Sequence, residues 1–288
     1  TFQPGTSVPG VYTYRVQGIP PCANDSSTVT VSVAPAPYAG ISSSITVCQS
    51  SPPFAMVESL GGNAPFGGLW TTIPGGLQSN GLFTPSMTAP GTYSFLYTVA
   101  GVGGTPCSPA QATLSITVNA APNAGVHGTL TLCSTSGVTS LLPFLGVNAQ
   151  PGGTWTFQGV AHGSSFDPHI DASGDYVYTV NGVAPCPSAS ASVTVILNQA
   201  PNAGSNGVLT ICDNDPVPIV LGDVLGGTHD QVINGWTLGG NPVSEIYLPI
   251  NYAAGVHTFT YTVPGLAPCV ASTAQVTIIQ NAAPHAGN

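Results

Sequence analysis

The segment Ala-Pro-Asn-Ala-Gly at residues 121–125 returns unchanged at 200–204, with looser copies ending at Gly40 and Gly287. The shared glycine therefore recurs at 40, 125, 204 and 287, at intervals of 85, 79 and 83 residues. Internal repetition constrains a fold more than any single motif, because each period must be one structural unit. A period near 80 is too long for the common helical or leucine-rich solenoid units, and it suits a small β-sandwich. Each period is expected to be a domain.

Superposed, the periods share one order of signals. After Pro-x-Ala-Gly comes a short alternating strand ending in cysteine, at Cys48, Cys133 and Cys212. An apolar stretch and a Gly-rich turn lead to Trp70, Trp155 and Trp236, followed by a Phe-x-Pro-like step at Phe83, Phe166 and, loosely, Tyr247. The clearest strand is next: GTYSFLYTV, GDYVYTV and GVHTFTYTV. Period-two alternation puts Tyr93, Phe95, Tyr97 and Val99 on one face, with Tyr176, Tyr178 and Val180 as counterparts. The second copy is two residues shorter, and an even change keeps the same face buried. A loop carrying Cys107, Cys186 or Cys269 precedes a final Thr/Val strand. No window sustains a helical period, and 36 Gly with 28 Pro punctuate the chain. The pattern predicts an all-β chain of tandem small sandwiches. The tryptophans, with Tyr93 and Tyr176, are expected in the cores.

One Lys or Arg (Arg15) stands against ten acidic residues, and only 4% of residues are charged, where soluble domains average about 25%. Nucleic-acid binding and polybasic membrane recognition both need clustered cations, so both are excluded as partners. No apolar run approaches the roughly 18 residues of a membrane span. Seven cysteines without a C-x-x-C pair favour an oxidising, extracellular or cell-surface location.

Residues 1–36 match only the second half of a period: Phe2-Gln-Pro, GVYTYRV from Gly10, Pro-Cys at Cys22, and a Thr/Val strand before Pro35. The expected organisation is thus 1–36 as the C-terminal half of a repeat, full repeats at 37–121, 122–200 and 201–283, and 284–288 opening another. A half-sandwich would expose the Tyr12, Tyr14 and Val16 face, so continuation into further repeats or self-association by strand addition is the expected partnership.

Taken in order, the motifs Pro-Asn-Ala-Gly, strand-Cys, Gly-Gly-x-Trp, Phe-x-Pro, Gly-x-Tyr-x-Tyr-x-Val and Pro-Cys resemble a known family across all 288 residues. They are similar to the tandem immunoglobulin-like repeats of large secreted surface proteins of gliding and related bacteria, associated with type IX secretion. The resemblance implies an all-β fold of tandem immunoglobulin-like β-sandwich domains forming an elongated rod, part of an extracellular fibre, stalk or adhesin, and brings no catalytic residue.

Two disulfide schemes are open. Closure within repeats gives Cys48–Cys107, Cys133–Cys186 and Cys212–Cys269, with Cys22 paired outside this segment. Against it, the first strand's end and the last loop of an immunoglobulin-like sandwich lie at opposite poles, about 26 Å apart for an eight-residue strand. Pairing between successive repeats gives Cys48–Cys186 and Cys133–Cys269. A constant 26 residues separates Cys22 from Cys48, Cys107 from Cys133 and Cys186 from Cys212.

Other chemistry is weak. Asp167, His169 and Asp171 read as a solvated turn rather than a metal site, and Asp213 with Asp215 lacks the glutamate and spacing of a calcium loop. Ser164 near His162 has no nucleophile elbow, so a hydrolase is rejected. Without lysine no isopeptide cross-link can form, and Asn24 heads one glycosylation sequon. No enzyme, cofactor or metal is expected. The reading is a structural repeat segment; the alternative is a glycan- or protein-binding module using the turn after each tryptophan, which varies between repeats.

Overall fold

The computed structural model describes residues 1–75, 78–101 and 107–284. Of residues 284–288, expected to open a further repeat, 285–288 lie outside the described residues. The chain is nearly all-β. Contacts divide it into two compact units, one of residues 1–121 with 182–187, the other of 122–181 with 188–288.

Three five-stranded sheets share one plan. An opening strand (Ser43–Cys48, Gly128–Cys133, Gly207–Cys212) lies parallel to a closing strand (Ala110–Asn119, Ala189–Asn198, Ser272–Asn281). Next to it runs the antiparallel aromatic strand (Gly91–Val99, Gly174–Val180, Gly255–Val263). A Trp strand (Leu69–Ile73, Thr154–Phe157, Trp236–Leu238) and a short edge strand complete each sheet. Two-residue pairings such as Thr139–Ser140 with Ser165–Phe166 make the second layer. This is an immunoglobulin-like sandwich with a reduced second sheet.

Alternation decides which side chains enter the cores. On the closing strands Leu114, Ile116, Val193, Val195, Val276 and Ile278 are all at most 1% exposed. Trp70, Trp155 and Trp236 are buried, each directly opposite a tyrosine of the aromatic strand. Ring centroids of Trp70–Tyr97, Trp155–Tyr178 and Trp236–Tyr261 are 4.7, 4.8 and 4.8 Å apart. Each of these tyrosines ties down the loop before the Trp strand. Tyr178 Oη donates to Gln150 O (2.5 Å) and accepts from Gly153 N (2.7 Å); Tyr261 does the same with Asp230 O and Val232 N. The apolar stretch after the opening strand forms a short helical turn, as at Leu142–Leu145 and Leu221–Val224, rather than extended chain.

The recurring phrase has a physical explanation. Its alanines, Ala39, Ala124 and Ala203, are at most 3% exposed, so no larger side chain fits. Gly40, Gly125 and Gly204 have φ of 84°, 86° and 79°, the left-handed region open to glycine. A Cβ on Gly125 would also stand 2.3 Å from Leu145 O. Asn123 and Asn202 each accept the amide of the glycine two residues on through Oδ1, at 2.9 Å.

The third repeat departs from the others by burying Gln280, at 2% exposure. Its Nε2 donates to Pro249 O (3.1 Å) and Tyr252 O (2.8 Å), and its Oε1 accepts from Tyr247 Oη. Tyr247 occupies the position of Phe83 and Phe166, so the hydroxyl and the amide that it meets are both particular to this repeat. Burial, then Tyr252, raises the Tyr247 pKa, keeping the donor protonated. Tyr247→Phe alone should cost about 1–3 kcal/mol by orphaning Gln280 Oε1, whereas Tyr247→Phe with Gln280→Val should recover most of that loss. Equal destabilisation of the single and double variants in denaturant melts would refute the coupling.

The N-terminal segment is a lone antiparallel hairpin, Gly10–Val16 with Asp25–Val31. Its apolar face is open, with Tyr12 45%, Tyr14 71%, Val16 50% and Val29 60% exposed.

Candidate functional site

The chemistry-bearing groups that the fold assembles are cysteines at strand ends. Parallel pairing sets Cys48 beside Asn119, Cys133 beside Asn198 and Cys212 beside Asn281. The backbone continues the ladder one step further, with Gln49 N, Ser134 N and Asp213 N donating to those asparagine carbonyls at 2.8–2.9 Å. Each pair makes a shallow socket at the end of its sheet.

The complementary part is the turn between the aromatic and closing strands. Residues 182–186 and 265–269 share the form Gly-x-Ala-Pro-Cys with a cis Ala-Pro bond. The cysteine amide closes the turn on Val183 O or Leu266 O at 2.9 Å. Only glycine fits first, since a Cβ on Gly182 or Gly265 would lie 2.4 or 2.3 Å from the cysteine carbonyl.

Turn and socket are joined by Cys48–Cys186 and Cys133–Cys269, with Cα separations of 4.8 and 4.9 Å. A side-chain hydrogen bond accompanies each: Asn119 Nδ2 donates to Ala184 O, and Asn198 Nδ2 to Ala267 O, both at 2.8 Å. The bonded sulfurs are buried, and Cys186 Sγ lies 3.3 Å from Ala120 O. Turn 182–187 accordingly belongs to the first compact unit rather than to its own sandwich.

None of the within-repeat pairs Cys48–Cys107, Cys133–Cys186 and Cys212–Cys269 is formed, and Cys22, Cys107 and Cys212 are free. The reason is topological. Cys48 pairs with Asn119, the last residue of a ten-residue closing strand, while Cys107 precedes its first residue, Ala110. That strand holds the two thiols about 30 Å apart, whereas bridged Cα atoms need about 5.5 Å. Sequence reasoning missed Asn119 and Asn198; their recurrence at the end of each closing strand, again at Asn281, was the available signal.

The remaining sequence candidates fall as follows. The buried indoles offer no platform for sugar stacking. Tyr176 is fully buried, and burial with the nearby Asp171 pushes its pKa up to about 12, so its hydroxyl stays a donor to Ala172 O. Tyr93, expected in the core, is half-buried and packs against it; its hydroxyl donates to Ala89 O at 2.8 Å. Both bonds have the form of a tyrosine corner. In the turn at 167–171, His169 N donates to Asp167 Oδ1, holding that carboxyl below its usual range, and His162 Nε2 lies 3.2 Å from Asp171. Among the described residues no group of three or more His, Cys, Asp or Glu could hold a metal. Likewise no helix among them is long and apolar enough to cross a membrane.

No protein-family model and no curated protein sequence matches the chain. Among solved structures it is similar to the I67–I69 fragment of titin, 12% identical over 95% of this chain and 94% of that one, with a TM-score of 0.40. Immunoglobulin domains 1–5 of Sidekick-1 align at 14% identity over 95% and 67% of the two chains, with a TM-score of 0.30. The insect immune protein hemolin aligns at 12% identity over 91% and 80%, with a TM-score of 0.34. The likeness is one of fold, and the assignment to tandem immunoglobulin-like sandwiches rests on the strand pairing itself.

Proposed function

We propose that the chain is a structural segment of an extracellular fibre, stalk or adhesin, in which disulfides staple each immunoglobulin-like repeat to the next. The observation that carries this reading is the turn-and-socket bond: Cys48 reaches Cys186 across 138 positions of sequence, and Cys133 reaches Cys269 across 136. Such bonds persist in oxidising compartments and are rare elsewhere. A chain with 4% charged residues and one Lys or Arg suits a building element better than a receptor for anionic partners. The resemblance of its ordered motifs to bacterial surface repeats points the same way and suggests the outer surface of a gliding-type bacterium.

Immunogold labelling of intact, unpermeabilised source cells with antibody to the folded chain tests the reading. Gold along surface fibres or stalks is the expected result; label seen only after permeabilisation would overturn it.

A further inference from the structure

Two sockets are filled by two turns; among the described residues the socket at Cys212 stays open and the turn ending at Cys22 is undocked. Residues 18–22, Gly-Ile-Pro-Pro-Cys, carry a cis Pro20-Pro21 bond, and Cys22 N donates to Ile19 O at 2.9 Å. A Cβ on Gly18 would lie 2.5 Å from Cys22 O, matching Gly182 and Gly265. This turn has the shape of the two docked ones, with its thiol exposed.

The empty socket is Cys212 with Asn281. Its backbone matches the filled sockets: Cys212 pairs with Asn281, and Asp213 N donates to Asn281 O at 2.9 Å. Its thiol is exposed, and Asn281 Nδ2, the counterpart of the amides that hold Ala184 O and Ala267 O, has no partner among the described residues. Three features of the bonded sites are thus present at each open half.

Charge distinguishes this pair from the filled ones. The filled sockets carry Gln49 and Ser51, or Ser134 and Ser136, beside the cysteine; the empty one carries Asp213 and Asp215. Arg15, the chain's one Lys or Arg, lies three residues before Gly18 and forms no salt bridge among the described residues. The region around Cys107 carries no cation to answer those carboxylates.

We infer that the Cys212–Asn281 socket of one chain accepts the Cys22 turn of a second copy, forming a Cys22–Cys212 disulfide with Asn281 Nδ2 donating to Pro20 O. Two thiols lose two protons and two electrons to a disulfide-class oxidant: one thiolate attacks oxidised glutathione, and the second displaces glutathione thiolate to close the S–S bond. The contact is heterologous, so each assembly keeps a free Cys22 turn at one end and a free Cys212 socket at the other, and growth continues head to tail. The inference deepens the structural reading above by naming a partner for the Cys212 socket and the Cys22 turn.

The test is oxidation of the reduced full chain in a glutathione redox buffer, with non-reducing peptide mapping after cleavage at aromatic residues. Cys22–Cys212 should dominate among intermolecular links. Asn281→Ala should slow its formation about fivefold, the loss of one hydrogen bond. Arg15→Gln and 0.5 M salt, which shortens the screening length to about 4 Å, should each slow it as well. Predominant Cys22–Cys22, Cys212–Cys212 or Cys107–Cys212 links, or a rate indifferent to Asn281→Ala and Arg15→Gln, would overturn the inference. Those outcomes leave the surface-fibre reading standing, while intracellular label would sink that reading without touching the pairing.

Discussion

Pulled from its ends, the oxidised chain should extend several hundred ångströms less than the reduced chain. The two disulfides interlock, since Cys133 lies inside the loop closed by Cys48–Cys186, and Cys186 inside the loop closed by Cys133–Cys269. Three segments, of 85, 53 and 83 positions, therefore run in parallel between the same two bonds. The shortest sets the limit. Of the 221 positions from Cys48 to Cys269, 168 are withheld, a length of about 590 Å at about 3.5 Å per residue. Single-molecule stretching with and without reductant measures it. Equal contour lengths in both conditions would show that the bonds do not form; a difference of about 480 Å would indicate one bond only, since either loop alone withholds 138 or 136 positions.

Trp155→Ala should destabilise the second repeat by about 3–5 kcal/mol, the range for emptying an aromatic core site that cannot collapse. Trp155 is 5% exposed, packs on Tyr178 at 4.8 Å, and sits in a core cluster separate from those of its neighbours. The loss should thus stay local. Native-state hydrogen exchange reads this directly: Val193 and Val195 should lose protection by two orders of magnitude or more, while Val276 and Ile278 keep theirs. Equal loss at both pairs would mean that the two repeats unfold as one cooperative unit.

Much of the architecture was legible before any coordinate. Strict alternation in GTYSFLYTV and in the Thr/Val strands dictates which residues enter a core, because side chains of an extended chain alternate between faces. Likewise the repeated Pro-Asn-Ala-Gly encodes its own geometry: a fixed φ, an Asn that caps a turn, an alanine with no space around it, and a glycine at positive φ. These are local constraints, carried by neighbouring residues. The polar pair Tyr247–Gln280 was not legible, since it depends on a partner 33 positions away.

Cysteine pairing shows the division most clearly. Spacing left closure within a repeat and closure between repeats both open, since a count of residues carries no direction. Parallel pairing of the opening and closing strands supplies the direction: it carries Cys48 and Cys133 to the ends of their sheets, away from their own repeats' turns. There Asn119 and Asn198 hold the cis-proline turns of the following repeats against them. Local sequence thus determined the strands, the core faces and the linkers, whose physics extends over a few residues. Tertiary structure alone decided which thiols meet, because that depends on the relative direction of strands about 70 residues apart.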